Sequence, residues 1–432
     1  MCIESRLPCE PMGNAVAEGA SQLPEDVRSE VRQWLALNWD ADLPLVEWRR
    51  KLAAEGWIAP SWPTRWHGRG LPAWADDIVN EELRRIGAIG RPLGGGMNLA
   101  APTILAHGPD TLRERFLLPT LTGELTWCQL FSEPGAGSDL AGLTTTARLD
   151  GDEWVVNGQK VWNTSAHHAD FGILVARTNW DVPKHRGITY LVLPMHQAGV
   201  EVRPLKQMNR YSSFNEVFMS DARIPRDFVV GEVGGGWNVA LTTLSYERRF
   251  GGMSRPQFGT TKGRCIDEAR HEADEHFATY HWYPQRAGRV DLLIERARVA
   301  GVDQDPVVRQ AITRVLSQQR ASQWTAQRAT AARALGREPG AEGSIGKLAS
   351  SLIARQAANA HSLIAGANAM LLNPTTTPEG IVSEVLISVP GQSIAGGTDE
   401  VQKNILGEKV LGLPREPAPD KDLPFRSVPR NG

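Results

Sequence analysis

Along the first part of the chain, apolar positions recur at three- to five-residue spacing. The pattern is clearest in DDIVNEELRRIGAI, where Ile78, Leu83, Ile86 and Ile89 mark one helical face. TLRERFLLPTL continues the helical pattern after a Gly-Pro break. The period then falls to two: EWVV, KVWN, FGILVART, GITYLVLP and GVEVRPL are short runs between turn-forming residues, as expected of strands. Asn157-Gly158 predicts a hairpin, because a type I′ turn needs two residues that tolerate positive φ. From Trp237 the helical period returns in two long segments, DPVVRQAITRVLSQQRASQWTAQRATAARAL and SIGKLASSLIARQAANAHSLIAGANAM, with no internal repeat. The expected plan is α+β: an N-terminal helical domain over 25–125, a central β domain over 126–235 and a C-terminal helical domain over 236–412. A leader rich in Pro, Gly and small residues (1–24) and a tail (413–432) read as loose flanks without chemistry.

Composition narrows the function classes. A chain of 432 residues that is 41% hydrophobic can bury a sizeable core without disulfides. Its formal charge of −2, with acids and bases interspersed, gives no long-range attraction to nucleic acid or an anionic membrane. Cys2, Cys9, Cys128 and Cys265 form no CxxC pair, which argues against a disulfide framework or a thiolate metal site and fits a reducing cytoplasm. No apolar run approaches the roughly 18 residues of a membrane span, and MCIESRLPCEPMGN lacks the apolar core of an export signal.

The chemistry-bearing stretch is WCQLFSEPGAGSDLAGLTTTARLDGDEWVVNGQKVWNTSAHHADFGILVARTN. Gly135-Ala136-Gly137-Ser138 permits close backbone approach to a ligand, while Ser132, Ser138, Thr164 and the Trp162 ring offer a planar heterocycle hydrogen bonds and a face. The same composition also describes a Gly/Ser surface loop beside a core tryptophan. A dinucleotide fold is excluded, since GAGSDL lacks the third glycine and no helical period follows it. His271 and His276 in HEADEH are five residues apart, not the four that place two imidazoles on one helical face, so no metal site is expected. Ser344-Ile345-Gly346-Lys347 fits SxxK without the accompanying hydrolase pattern, and His167-His168 is expected to be structural.

SEPGAGSDLAG followed by GDEWVVNGQKVWNTSAHHAD resembles the acyl-CoA dehydrogenase signature, and so do GITYLVLP, FNEVFMSDARIP and GGTDEVQKNILGEKVLGLP, in the family's order over roughly residues 30–415. The resemblance implies a β-barrel-like central domain, a C-terminal four-helix bundle and FAD. By that resemblance Phe131, Ser132 and Gly137 line the flavin, Trp162 packs along its ring system, and the Thr164 hydroxyl lies near N5. Ser138 matches a flavin-loop position that also contacts the pantetheine arm of the substrate, and Thr398 and Glu400 match positions near the adenosine half of FAD. Thr398 and Glu400 also read as the N-cap and first-turn acid of the last helix.

Many family members carry the catalytic base near the C-terminus, but the aligned segment here is Ala395-Gly396-Gly397-Thr398, without a carboxylate. The isovaleryl-type and long-chain-type enzymes place it instead on the first helix after the β domain, where Glu247 stands in GGGWNVALTTLSYERRF. Glu247 continues the stripe of Trp237, Ala240 and Leu244, and burial raises a carboxyl's pKa towards the range useful to a base. The alternative is a structural Glu paired with Arg248, Arg249 or another buried Arg. In the family the backbone N–H at the position of Gly396 holds the thioester oxygen, and Gly396 would retain it, while Arg248 matches an arginine that reaches towards the CoA phosphates. The family's Arg-x-x-Phe-Gly segment is not recognisable in QDPVVRQAITRVLSQQR, where Arg309 is a candidate substitute, and the Gly-Gly turn is degraded to AGANA. The implied function is α,β-dehydrogenation of acyl-CoA by a homotetramer or homodimer that passes electrons to an electron-transferring flavoprotein. The alternatives are a flavin monooxygenase or oxidase on the same scaffold, or a non-catalytic subunit of a heteromeric dehydrogenase.

Overall fold

In the computed structural model, residues 23–247, 255–334, 340–341, 343–371 and 380–429 are described. The N-terminal helices are α1 (Pro24–Asn38), α2 (Leu45–Ala54), α3 (Trp74–Ile86), α4 (Ala101–His107) and α5 (Asp110–Thr122). Val27, Val31 and Leu35 repeat every four residues along α1 and bury one stripe, while Pro24 opens the helix with its fixed φ and no wasted donor. The apolar period read through to Ile89 stops earlier in the structure. Gly87, in the left-handed region at φ 72°, closes α3 after Ile86. Ile89 lies beyond the helix, and its carbonyl accepts the Trp48 indole N–H at 2.6 Å. Between α1 and α3 sits a buried carboxylate, Glu82, bonded to Arg28 and Arg32 at 2.7 Å each and to Arg85 at 2.7 Å.

The sheet contains β1 (Trp127–Leu130), β2 (Thr146–Asp150), β3 (Glu153–Thr164), β4 (Phe171–Arg177), β5 (Ile188–Pro194), β6 (Val200–Leu205) and β7 (Phe214–Pro225). Its order is β1-β4-β2-β3-β7-β6, with β5 on β4; β1 and β2 run parallel to β4, and the other pairs are antiparallel. The hairpin falls elsewhere than the Asn-Gly signal placed it. Asp150 pairs with Glu153 across a two-residue turn that begins with Gly151 at φ 63°. Asn157 and Gly158 lie inside β3, where the register against β7 shifts between Val156 and Gly158. The dipeptide therefore serves a β-bulge, and Gly158 is required there because a Cβ would sit 2.4 Å from Thr145 Oγ1.

The C-terminal helices are α6 (Gly236–Glu247), α7 (Arg264–Ala278), α8 (Tyr283–Arg286), α9 (Leu293–Val299), α10 (Pro306–Ala334), α11 (Gly343–Ala365), α12 (Gly380–Ser388), α13 (Pro390–Ile394) and α14 (Asp399–Ile405). Alanines 354, 357, 358 and 360 let α11 pack closely against its neighbours, and Leu293, Val308, Ile312 and Val315 from α9 and α10 share a core with it. α7 does not join this bundle. Cys265 and Ala269 enter the N-terminal core, Glu268 accepts from the Leu45 N–H at 2.7 Å, and Glu272 pairs with the buried Arg49 at 2.6 Å.

Candidate functional site

β1 ends on Leu130 and delivers Phe131, buried, and Ser132, half-buried, into a turn closed by mutual Glu133–Ala136 backbone hydrogen bonds of 3.1 Å. Gly135, Gly137 and Ser138 are exposed, and a Cβ added at either glycine would meet nothing within 4 Å. Beneath the turn lies a charge pair that the sequence reading passed over. Glu133 is 6% exposed and accepts from Thr144 N (2.7 Å), Thr144 Oγ1 (2.9 Å), Thr145 N (2.9 Å) and Lys160 Nζ (2.9 Å). Burial alone would raise its pKa, but the Lys160 ammonium and these donors outweigh it and hold the carboxyl at about 2. Lys160, wholly buried on β3, also donates to the Phe131 carbonyl at 2.8 Å. Strand and turn are thereby fixed to each other. The only sequence signal was a Glu and a Lys inside segments otherwise marked by their loop and strand character.

β3 is bulged a second time, between Val161 and Asn163. Trp162 takes φ 66°, a costly conformation for a bulky residue, and the bulge turns its ring outward to 57% exposure, edge-on to Phe214 at 5.8 Å. Asn163 is buried and ties the bulge down, donating to Gln129 O at 2.7 Å while its own carbonyl accepts from Asn215 at 2.8 Å. Thr164, the next residue, is half-buried, and burial pushes up the pKa of the Tyr280 phenol, a rise that Thr164 offsets in part.

Glu247 is the last described residue of α6 before the chain resumes at Arg255, and it is half-buried. The helix is set by Gly236, whose Cα lies where a Cβ would strike the Thr189–Tyr190 backbone at 2.5 Å, and by the buried Thr243, bonded to Tyr190 OH and Thr103 Oγ1 at 3.0 Å each. Burial raises the pKa of the Tyr283 phenol, Arg286 lowers it, and the Glu247 carboxylate raises it again, so Glu247 lies within electrostatic reach of Tyr283. Tyr283 stands edge-on to Tyr280 at 4.8 Å. Neither tyrosine figured in the sequence reading. Arg248 lies outside the described residues.

The C-terminal turn has its own geometry. Gly396 and Gly397 are both left-handed, at φ 68° and 85°. Gln402, buried on α14, donates to the Gly396 carbonyl at 2.9 Å, and among the described residues the Gly396 N–H meets no acceptor. Thr398 Oγ1 accepts from Val401 N at 3.2 Å and so caps α14, and Glu400 is exposed in its first turn. Asp399 between them is buried and bonded to Lys347 (3.0 Å) and Arg355 (2.9 Å). Arg309 is exposed at the start of α10 and donates to Asp303 O at 3.3 Å. Among the described residues no group of three His, Cys, Asp or Glu is placed to hold a metal, and no helix is long and apolar enough to cross a membrane.

A bulged sheet presenting a tryptophan face and a Gly-rich turn between two helical regions defines a scaffold for a planar, polar heterocycle. Three family models match in order: acyl-CoA dehydrogenase, N-terminal domain, over 20–124; middle domain, over 128–222; and C-terminal domain, over 275–411. The chain is 35% identical to the acyl-CoA dehydrogenase IpdE1 of Mycobacterium tuberculosis, covering 91% of this chain and 98% of that protein. It is also 35% identical to acyl-CoA dehydrogenase FadE34 of the same organism, over 87% of this chain and 47% of that protein. Among solved structures, the ChsE4-ChsE5 complex from Mycobacterium tuberculosis aligns at TM-score 0.62 and 27% identity, over 93% of this chain and 100% of that one. The Tcur3481-Tcur3483 steroid ACAD shares the fold at TM-score 0.63 and 24% identity, over 91% and 98%. The chain belongs to the acyl-CoA dehydrogenase family, an oxidoreductase family whose cofactor is FAD. The residues present suit that cofactor: the exposed Trp162 ring, the uncovered backbone at Gly135 and Gly137, and the hydroxyls of Ser132 and Thr164.

Proposed function

We propose that this protein converts an acyl-CoA thioester to its trans-2-enoyl product, with Glu247 as the base that takes the pro-R α-proton. The observation that carries the reading is Glu247, half-buried at the end of α6, the helix that Gly236 and the Thr243–Tyr190 hydrogen bond hold against the sheet. FAD, when bound, supplies the acceptor for the β-hydride. Phe131, Ser132, Gly137, Trp162 and Thr164 hold the isoalloxazine, Thr164 standing beside N5, and Thr398 and Glu400 serve the adenosine half. Ser138 and Arg248 serve the CoA arm. The Gly396 N–H donates to the thioester oxygen, which lowers the α-proton's pKa into the reach of a carboxylate. This donor survives the loss of a side chain at position 396.

The test is anaerobic bleaching of the purified yellow protein with a panel of straight-chain, branched and steroid-side-chain acyl-CoAs. Bleaching by one class identifies the substrate; none by any of them refutes the reading. Electrons then pass to an electron-transferring flavoprotein, and rapid reoxidation by air alone would favour an oxidase or monooxygenase instead. A second reading, a subunit that needs a partner chain, is favoured by the two-protein complex named for one structural relative and by the missing carboxylate at position 396. It predicts a colourless or insoluble chain unless a partner is co-expressed.

A further inference from the structure

Residues after the helical bundle return to the sheet. Phe425 is 3% exposed, its N–H donates to Val182 O at 2.9 Å, and the next N–H, of Arg426, donates to Trp180 O at 3.1 Å. The Arg426 guanidinium pairs with Asp181 at 2.6 Å. The Phe425 ring lies against Trp180 at 5.3 Å and under the Arg177 guanidinium, 3.5 Å from the ring centroid. This strap closes over a wholly buried arginine. Arg177 spends its donors on three carbonyls, Ala141 (2.6 Å), Leu143 (3.1 Å) and Lys184 (3.0 Å). The first two follow Ser138 in the chain, and Lys184 Nζ reaches both carboxylate oxygens of Asp139, the residue beside Ser138, at 3.0 Å. On its other side the same loop, residues 178–187, sets the His185 ring against Trp237 at 4.8 Å, at the start of the helix that ends in Glu247. One loop thus touches the strap, the Ser138 segment and the Glu247 helix.

We propose that Phe425 and Arg426 are positioning residues for acyl-CoA binding, a reading that rests on the thioester site above. They act through Arg177 and the 178–187 loop. A desolvated guanidinium capped by an aromatic ring is held more firmly than one open to water, so the ring keeps the Ala141 and Leu143 carbonyls, and with them Ser138, in register.

The test compares wild type with Phe425→Ala and Phe425→Tyr. Phe425→Ala should raise the KM for the preferred acyl-CoA, and the Kd of the same thioester, roughly tenfold, with kcat within about twofold of wild type. FAD content should stay at the wild-type value, the thermal midpoint should fall because a buried ring is lost, and trypsin should cut faster after Lys184 or Arg186. Phe425→Tyr, which keeps a ring over Arg177, should restore all of these. Unchanged KM, Kd and cleavage would overturn the proposal, as would a joint fall of kcat, FAD content and midpoint that tyrosine does not rescue. Wild type that binds no thioester of the panel refutes the dehydrogenase reading and this proposal together, whereas tight wild-type binding with an indifferent variant refutes this proposal alone.

Discussion

A tryptophan at φ 66° on a solvent-facing bulge is strained and poorly covered, and strain of this kind is kept where a bound group makes use of it. Trp162→Ala should loosen FAD by about 1–3 kcal/mol if only the lost apolar area counts, read as faster cofactor loss on dialysis. Retention equal to wild type would remove Trp162 from the flavin wall. Glu247→Gln should keep FAD and bind thioester, while anaerobic flavin reduction slows by about 10²–10⁴-fold, the usual contribution of a general base. Wild-type reduction rates in the folded, FAD-loaded variant would show that the base lies elsewhere. At Gly396 the structure adds a constraint: a Cβ there has open space, yet the left-handed backbone costs a side chain about 1–2 kcal/mol. Gly396→Glu in the Glu247→Gln background should therefore lower the thermal midpoint even if it recovers some flavin reduction.

At the scale of elements, the helix–sheet–helix order was legible because a shift from helical to two-residue periodicity needs no knowledge of partners. The bulges were not, since Asn-Gly suits either a tight turn or a bulge and only the register against β7 decides between them. Glu133, Lys160 and Glu82 were invisible for a related reason: a charged residue in a sequence reads as surface until its partners are known. Phe425 was hidden in a stretch whose prolines and charges read as loose tail. The Glu82 cluster also fixes a pH response. Hydrogen bonds from Arg32, against the cost of burial, and then from Arg85 and Arg28 hold its carboxyl at about 2, below the roughly 4.3 of an unfolded chain. A depressed carboxyl stabilises the fold fully above the unfolded value and progressively less as pH falls towards the folded one. Water around the partly exposed arginine side chains screens the interaction and reduces the effect to about 2 kcal/mol. Glu82→Gln should accordingly be less stable than wild type at pH 7 but lose less stability between pH ~4 and ~2, as followed by thermal melts. Equal acid slopes would show that other carboxylates govern that limb.

Across the whole molecule, the outer part of α10 stands apart: from Leu316 to Ala332 none of its residues is buried, and Trp324 is 61% exposed. The stretch is otherwise rich in Gln, Arg, Ser, Thr and Ala, so if the chain assembles as a homotetramer or homodimer, Trp324 is the side chain there expected to meet another copy. Trp324→Glu should shift the light-scattering mass to a smaller species without changing the flavin spectrum, and an unchanged mass would place the contact elsewhere. α7 makes the opposite kind of connection, closing the N-terminal core through the Glu268–Leu45 and Glu272–Arg49 bonds, each between residues 223 positions apart. That span has a meaning in time. At the usual pace of about 5–20 residues per second, α2 leaves the ribosome roughly 10–45 s before the helix that completes its surroundings. For that interval the buried Arg49 lacks its Glu272 partner, and the apolar surface later covered by Cys265 and Ala269 stays uncovered.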